Sequence, residues 1–280
     1  MSTPITVTTR YGEVVVHLSG RSPADAPGLL LLHANPGDHR DFDQIVPRLG
    51  ETWALAAIDW PGYGASTVVD PDAITVDALG DVAVQVSKTL AQRGFGSLTV
   101  IGNSVGGYAA VRLAERAPDL VRGLVLVQSA GFAPRNLLTR AMFHLISRPS
   151  VARRFVVANA RLYLGSLRND GVRPLFERAR EIPGDPVRLA VYRRLWLSLD
   201  DPRVDLPAAS PLLPDLPVQV VWGRNDPTNP WLVNRRGIAR ALPESPVALL
   251  ATRHEPFAEA PDLFLDAVRE FLTTCAGVRQ

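Results

Sequence analysis

The apolar residues of this chain fall into short unbroken runs separated by longer stretches with helical spacing. Leu29–Leu32, Trp53–Ile58, Leu98–Ile101, Leu124–Val127 and Val218–Trp222 are the runs, with turn residues such as Pro27-Gly28 at their edges. Runs of this kind suit strands buried on both faces, as in a parallel sheet. Thr6–Thr9 and Glu13–Leu18 read as a strand pair around Tyr11-Gly12, and Val247–Leu250 as a late strand. Helical patterns cover Asp41–Leu49, Val76–Gln92 and Val105–Arg116, and Asp262–Thr274 predicts a last helix. Strands alternating with helices predict βαβ units and a parallel α/β sheet.

The alternation stops after Phe132. About eighty residues follow without a convincing strand until Val218. They carry helical patterns at Leu137–Ile146, Val151–Leu164, Val172–Arg180 and Pro186–Leu199, punctuated by prolines. This predicts a helical insertion lying over the sheet. No internal repeat or low-complexity segment is evident.

Composition changes the picture only in places. The 280 residues are 46% hydrophobic and 21% charged, which is ordinary for a globular chain. Thirty basic residues against 28 acidic ones leave a net charge of +2, which does not point to a nucleic-acid partner. Only Lys88 among the basic residues is lysine. The insertion is locally basic: Pro134 to Arg203 holds fourteen arginines and six acids. Most of these arginines are expected in solvent; the alternative is that one or two turn inward to hold a carboxylate. Cys275 is the one cysteine, so neither an internal disulfide nor a cysteine-based zinc site is expected. No apolar run approaches a membrane span, and Met1–Arg10 lacks the form of a signal peptide. A cytoplasmic protein is expected, without a membrane partner.

The strongest chemical signal is Gly102-Asn103-Ser104-Val105-Gly106-Gly107, placed between a strand and a helix. It fits the G-x-S-x-G nucleophile elbow, whose tight turn leaves no room for side chains beside the serine. A serine needs a base. Of five histidines, His17 reads as structural, and His39 and His144 as incidental. His33 ends a strand and belongs to another motif. His254 follows the last strand, on a loop at the carboxyl edge of the sheet, where ligands of α/β sheets bind. Asp226 follows the strand ending at Trp222 and can orient the imidazole. The strand ending at Val127 leads into Gln128-Ser129-Ala130 and offers no acid. The order Ser104, Asp226, His254 is that of the α/β-hydrolases. Oxyanion donors are expected from the N–H groups of Val105 and Asn35, the latter in the loop His33-Ala34-Asn35-Pro36-Gly37. Asp59-Trp60-Pro61-Gly62-Tyr63-Gly64-Ala65-Ser66 lacks the third glycine of a dinucleotide fingerprint, and Asp59 reads as a turn residue.

These blocks, with the tail Pro256-x-x-Glu259-x-Pro261, resemble the α/β-hydrolase fold superfamily from about residue 5 onward. The resemblance implies a mostly parallel eight-stranded sheet flanked by helices. It divides the chain into a core of residues 1–133 and 215–280 and an inserted helical cap of residues 134–214. It implies a serine hydrolase that cleaves an ester, thioester or lactone of a small organic substrate through an acyl-enzyme. Ser104, Asp226 and His254 would be catalytic, and Asn35 and Val105 would form the oxyanion hole. No metal or organic cofactor is expected. The partner is a small-molecule substrate, anionic if a cap arginine turns inward, and self-association is left open. The Asn35 loop and Asp59-Trp60 are similar to haloalkane dehalogenases and epoxide hydrolases, which carry aspartate where Ser104 stands. Asn103-Ser104 with Gly106-Gly107 resembles carbon–carbon hydrolases of aromatic degradation, which usually carry tryptophan where Glu255 stands. Ala34 replaces the usual glycine of the oxyanion loop. A carbon–carbon hydrolase, a lyase or perhydrolase, and a hydrolase-fold ligand-binding protein are the alternatives.

Overall fold

A computed structural model describes residues 3–209 and 212–277. Eight strands form one sheet: β1 (Thr3–Thr9), β2 (Gly12–Gly20), β3 (Gly28–Leu32), β4 (Ala54–Ile58), β5 (Leu98–Asn103), β6 (Val121–Val127), β7 (Val218–Gly223) and β8 (Val247–Leu250). Their order is β1-β2-β4-β3-β5-β6-β7-β8. β1 and β2 pair antiparallel, as do β2 and β4, and every later pairing is parallel. The helices are α1 (Val46–Leu49), α2 (Val76–Gln92), α3 (Val105–Arg116), α4 (Leu137–Ile146), α5 (Pro149–Tyr163), α6 (Arg173–Glu181), α7 (Pro186–Ser198), α8 (Trp231–Ala241), α9 (Pro256–Glu259) and α10 (Pro261–Cys275). Short 3₁₀ turns lie between them.

The unbroken apolar runs are the central strands. β3, β4, β5 and β7 are buried at every position. Strand pleating sends alternate residues to opposite faces. Leu30 and Leu32 join a core beneath α2 and α3, while Leu29 and Leu31 join a second core with Phe257, Phe264 and Val268. Helices cover both faces, the condition under which a parallel sheet stays dry.

Two departures from the sequence expectation have plain causes. The helix expected over Asp41–Leu49 is split into a 3₁₀ turn, His39–Phe42, and α1. Pro47 cannot continue a helix through its own position, so it sits in the first turn of α1 instead. α8 was not expected from the sequence. Gly237 interrupts its pattern, and there a Cβ would stand 2.2 Å from the Phe132 carbonyl oxygen. The glycine lets α8 approach the chain just beyond β6.

α4 to α7 all lie between β6 and β7. α4 and α5 pack on α7, and α7 in turn reaches α2 and the 3₁₀ turn Pro71–Ala73. The insertion is therefore seated on the core rather than tethered beside it.

Candidate active site

Ser104 sits between β5 and α3 with φ 55° and ψ −116°, a strained backbone for a residue with a side chain. Its surroundings enforce the turn. A Cβ on Gly102 would stand 2.4 Å from the Gly106 carbonyl oxygen, and one on Gly106 would stand 2.3 Å from that of Leu32. The Ser104 N–H donates to the Val127 carbonyl, and its own carbonyl accepts from Gly107, Tyr108 and Ala130. The serine is thus pinned by β6, by the loop beyond that strand and by the first turn of α3. Val105 opens α3, where a backbone N–H has no intrahelical acceptor.

Asp226 follows β7 and is buried. One carboxylate oxygen accepts from the N–H groups of Thr228 and Asn229, and the other accepts the His254 Nδ1–H at 2.6 Å. With Nδ1 so occupied, Nε2 is the imidazole nitrogen left to act as a base. The loop carrying His254 is held on several sides. Asn103 Nδ2 donates to the His254 carbonyl, and Gln128 Nε2 donates to that of Arg253. The His254 N–H donates to the Tyr163 carbonyl in the insertion, and the Tyr163 ring packs edge-on against the imidazole at 5.2 Å. Glu259, in the tail noted from the sequence, accepts the Arg253 N–H at 2.6 Å.

Asn35 lies in the loop after β3. Its side chain bridges two partners: Oδ1 accepts from the Tyr63 hydroxyl at 2.7 Å, and Nδ2 donates to the Tyr192 carbonyl of α7 at 3.2 Å. Beneath the loop, His33 is fully buried. Its Nδ1–H donates to the Ala34 carbonyl, and its Nε2 accepts the Trp60 N–H. Burial lowers its pKa to about 4, so it is neutral.

Ser104, His254 and Asn35 face one cavity of about 450 Å³. Its walls are mostly apolar, including Leu138, Met142 and Phe143 of α4, Trp196 and Leu199 near the end of α7, and Val233 of α8. A larger groove of about 920 Å³ lies by the antiparallel edge of the sheet and contains neither Ser104 nor His254. Arg135 of the insertion lines the 450 Å³ cavity, but Asp205 lines it too. Arg135 is also paired with Asp200, which it shares with Arg140 and His144.

Sequence reasoning missed residues whose partners are distant in the chain. Tyr163 and Gln128 brace the His254 loop without any local motif, and Asn103, read only as part of the elbow, does so through its side chain. His39 and His144 are not bystanders. His39 donates to Asp59 through both its N–H and Nδ1, and His17 Nε2 donates to the other carboxylate oxygen. Asp59 also accepts the Ala65 N–H, so its place in the turn before Gly62 is structural. Among the described residues, His17, His39 and Asp59 bring three metal-type donor atoms within 4.8 Å. The two rings stack at 3.4 Å, with 15° between their planes. Their in-plane nitrogens run side by side toward the two carboxylate oxygens, an arrangement for sharing hydrogen bonds rather than converging on one ion.

Known proteins share this plan. The chain is 28% identical over 254 residues to a pimeloyl-[acyl-carrier protein] methyl ester esterase of Neisseria meningitidis serogroup B, covering 86% of this chain and 91% of that one. An esterase structure from Thermogutta terrifontis superposes with a TM-score of 0.76 at 23% identity, covering 99% of both chains. An N-acyl homoserine lactonase with bound N-hexanoyl homoserine superposes with a TM-score of 0.73 at 23% identity, covering 100% of this chain and 99% of that one. Among the described residues no helix is long and apolar enough to cross a membrane. A family profile described as alpha/beta hydrolase fold matches residues 27–261, and the chain belongs to that family of hydrolytic enzymes.

Proposed function

We propose that the protein is a serine esterase acting on a carboxylic ester with an apolar acyl chain of small to medium length. The observation that carries this reading is the convergence of Ser104, His254 and Asn35 on one apolar cavity, with His254 bonded to Asp226 behind it. Ser104 Oγ attacks the ester carbonyl while His254 Nε2 takes its proton. Asp226 keeps the imidazole in the required tautomer and stabilises the imidazolium. The N–H groups of Asn35 and Val105 receive the oxyanion. The imidazolium returns its proton to the leaving alcohol, and water then hydrolyses the acyl-enzyme by the same steps in reverse. The insertion, residues 134–214, acts as the cap that supplies the acyl pocket.

The relatives named as pimeloyl-[acyl-carrier protein] methyl ester esterases support ester rather than carbon–carbon cleavage. Apolar walls favour a neutral chain. Arg135 is paired with Asp200, and Asp205 lines the same cavity, which argues against a dedicated carboxylate clamp. The test is a panel of acyl methyl esters of rising chain length, with thioesters, lactones and ring-cleavage dienoates alongside. Turnover of the esters by wild type and its loss in Ser104→Ala supports the reading. Selective turnover of dienoates, or ester turnover that survives Ser104→Ala, overturns it.

A further inference from the structure

The loop that carries Asn35 is tied to the insertion at two separate places. One is the Asn35 side chain itself, which donates to the Tyr192 carbonyl of α7. The other is an ionic cluster just beyond the loop. Arg178, on α6, donates from Nη2 to Asp41 Oδ1 at 2.7 Å, and its Nε lies 3.4 Å from Asp38 Oδ2. Asp38 and Asp41 brace each other: Asp38 caps the 3₁₀ turn, and Asp41 Oδ2 accepts the Asp38 N–H. Asp41 also lies directly against the loop. A Cβ on Gly37 would stand 2.1 Å from Asp41 Oδ2 and 3.0 Å from His33 Nδ1. A shift of the Asp41 carboxylate is therefore transmitted to Gly37, two residues from Asn35.

We propose that Arg178 is a positioning residue, which fixes the Asn35 N–H for the oxyanion by clamping Asp38 and Asp41 from the insertion. The inference rests on the esterase reading, in which Asn35 is an oxyanion donor. The cluster is poorly suited to a purely stabilising role. Arg178 faces Asp38, Asp41 and, across a cavity of about 20 Å³, Glu255. Arg40 pairs with Asp38 from the solvent side. Glu255 is buried beside His254, and its Oε2 has no hydrogen-bond partner. Burying three carboxyl groups beside the Arg178 guanidinium, with Arg40 helping only Asp38, carries a desolvation penalty that well-packed apolar side chains avoid. What the guanidinium provides is geometry. Its planar fork meets two carboxylates in a fixed relative geometry, which a freely rotating ammonium does not impose. Formation of the oxyanion site is thereby coupled to seating of the insertion.

The test compares Arg178→Gln, Arg178→Lys and the double variant Asp41→Asn/Arg178→Met with wild type. Arg173→Gln, on the exposed face of the same helix, is the control. The double variant removes both members of the closest pair, so it avoids the unpaired Asp41 carboxylate that Arg178→Gln leaves and is the variant read if Arg178→Gln does not fold. Active sites are titrated with a fluorophosphonate, and kcat is expressed per titrated site. Loss of a whole oxyanion donor lowers kcat by about 10²–10³, so a displaced donor should lower it by roughly tenfold to a hundredfold. KM should stay within about twofold, with Arg178→Lys intermediate. Affinity for n-butylboronic acid, whose adduct with Ser104 places an oxygen where the oxyanion forms, should fall in parallel with kcat. Titrated kcat and boronate affinity equal to wild type, with only Tm reduced, would make Arg178 a mere staple and overturn the inference. Absence of Ser104-dependent ester turnover in wild type would instead overturn the esterase reading, and the inference with it.

Discussion

Acid should destabilise this protein through His33, by an amount the structure allows to be worked out. The imidazole is fully buried beneath the Asn35 loop, with one nitrogen donating and the other accepting. Protonation would place a charge in a dry site, and it would also abolish the acceptor for the Trp60 N–H. The pKa is accordingly lowered from 6.5 to about 4 in the folded protein. The unfolded chain binds the proton first, so this contribution is complete above pH 6.5 and is lost as pH falls toward 4. Two and a half pH units correspond to about 3.4 kcal/mol, of which about 2 kcal/mol is gone by pH 5. Glu255 and Asp41 act in the opposite direction, so a wild-type curve alone mixes the effects. The informative quantity is the difference from His33→Gln, whose amide can donate and accept at any pH. Denaturant unfolding from pH 7.5 to 4.5 should show that variant less stable near neutrality, with the gap shrinking by about 2 kcal/mol by pH 5. The native His33 resonance should titrate near pH 4. A constant gap, or a midpoint near 6.5, would refute the reasoning.

Four further outcomes are expected. Ser104→Ala should keep its Tm and lose roughly 10⁶-fold in turnover, as removal of a triad nucleophile does elsewhere; steady-state kinetics with calorimetry checks both. Asp226→Asn should lower kcat by about 10⁴ with little change in KM, by favouring the wrong tautomer, whereas Asp59→Asn should lower Tm and leave kcat per folded molecule intact; the reverse pattern would reassign the acid. Glu255→Gln should gain stability relative to wild type as pH rises above 4.5. Burial, followed by repulsion from Asp41, raises the Glu255 pKa, so wild type loses this contribution as the pH moves toward the folded value; parallel stability curves for the two proteins would contradict this. Gly106→Ala should fail to accumulate as folded protein, because its Cβ would meet the Leu32 carbonyl oxygen at 2.3 Å; normal yield and a native circular-dichroism spectrum would show that the elbow can relax.

The sheet was legible because burial on both faces leaves an unmistakable mark. Runs such as Leu29–Leu32 have no other good use in a chain of this composition. The elbow was legible because Gly102 and Gly106 are steric necessities at fixed spacing from Ser104. Chain order sufficed to select Asp226 and His254 as candidates. What could not be read was set by contacts between distant residues. His17 and His39 looked unremarkable because their partner, Asp59, lies 42 and 20 residues away. Arg178 looked like one of fourteen arginines because Asp41 lies 137 residues earlier. α8 was hidden by Gly237, whose reason is a backbone contact with Phe132.

The spread of the candidate site along the chain has a consequence for synthesis. Ser104 follows β5, Asp226 follows β7, and His254 lies beyond β8, the eighth strand of the sheet. At ordinary translation speeds roughly eight to thirty seconds separate the emergence of Ser104 from that of His254. On the esterase reading, a nascent chain throughout that interval holds a nucleophile without its base, and for most of it without Asp226. On that reading such a chain is inert toward any ester it meets, and the first turnover waits on the stretch that carries His254.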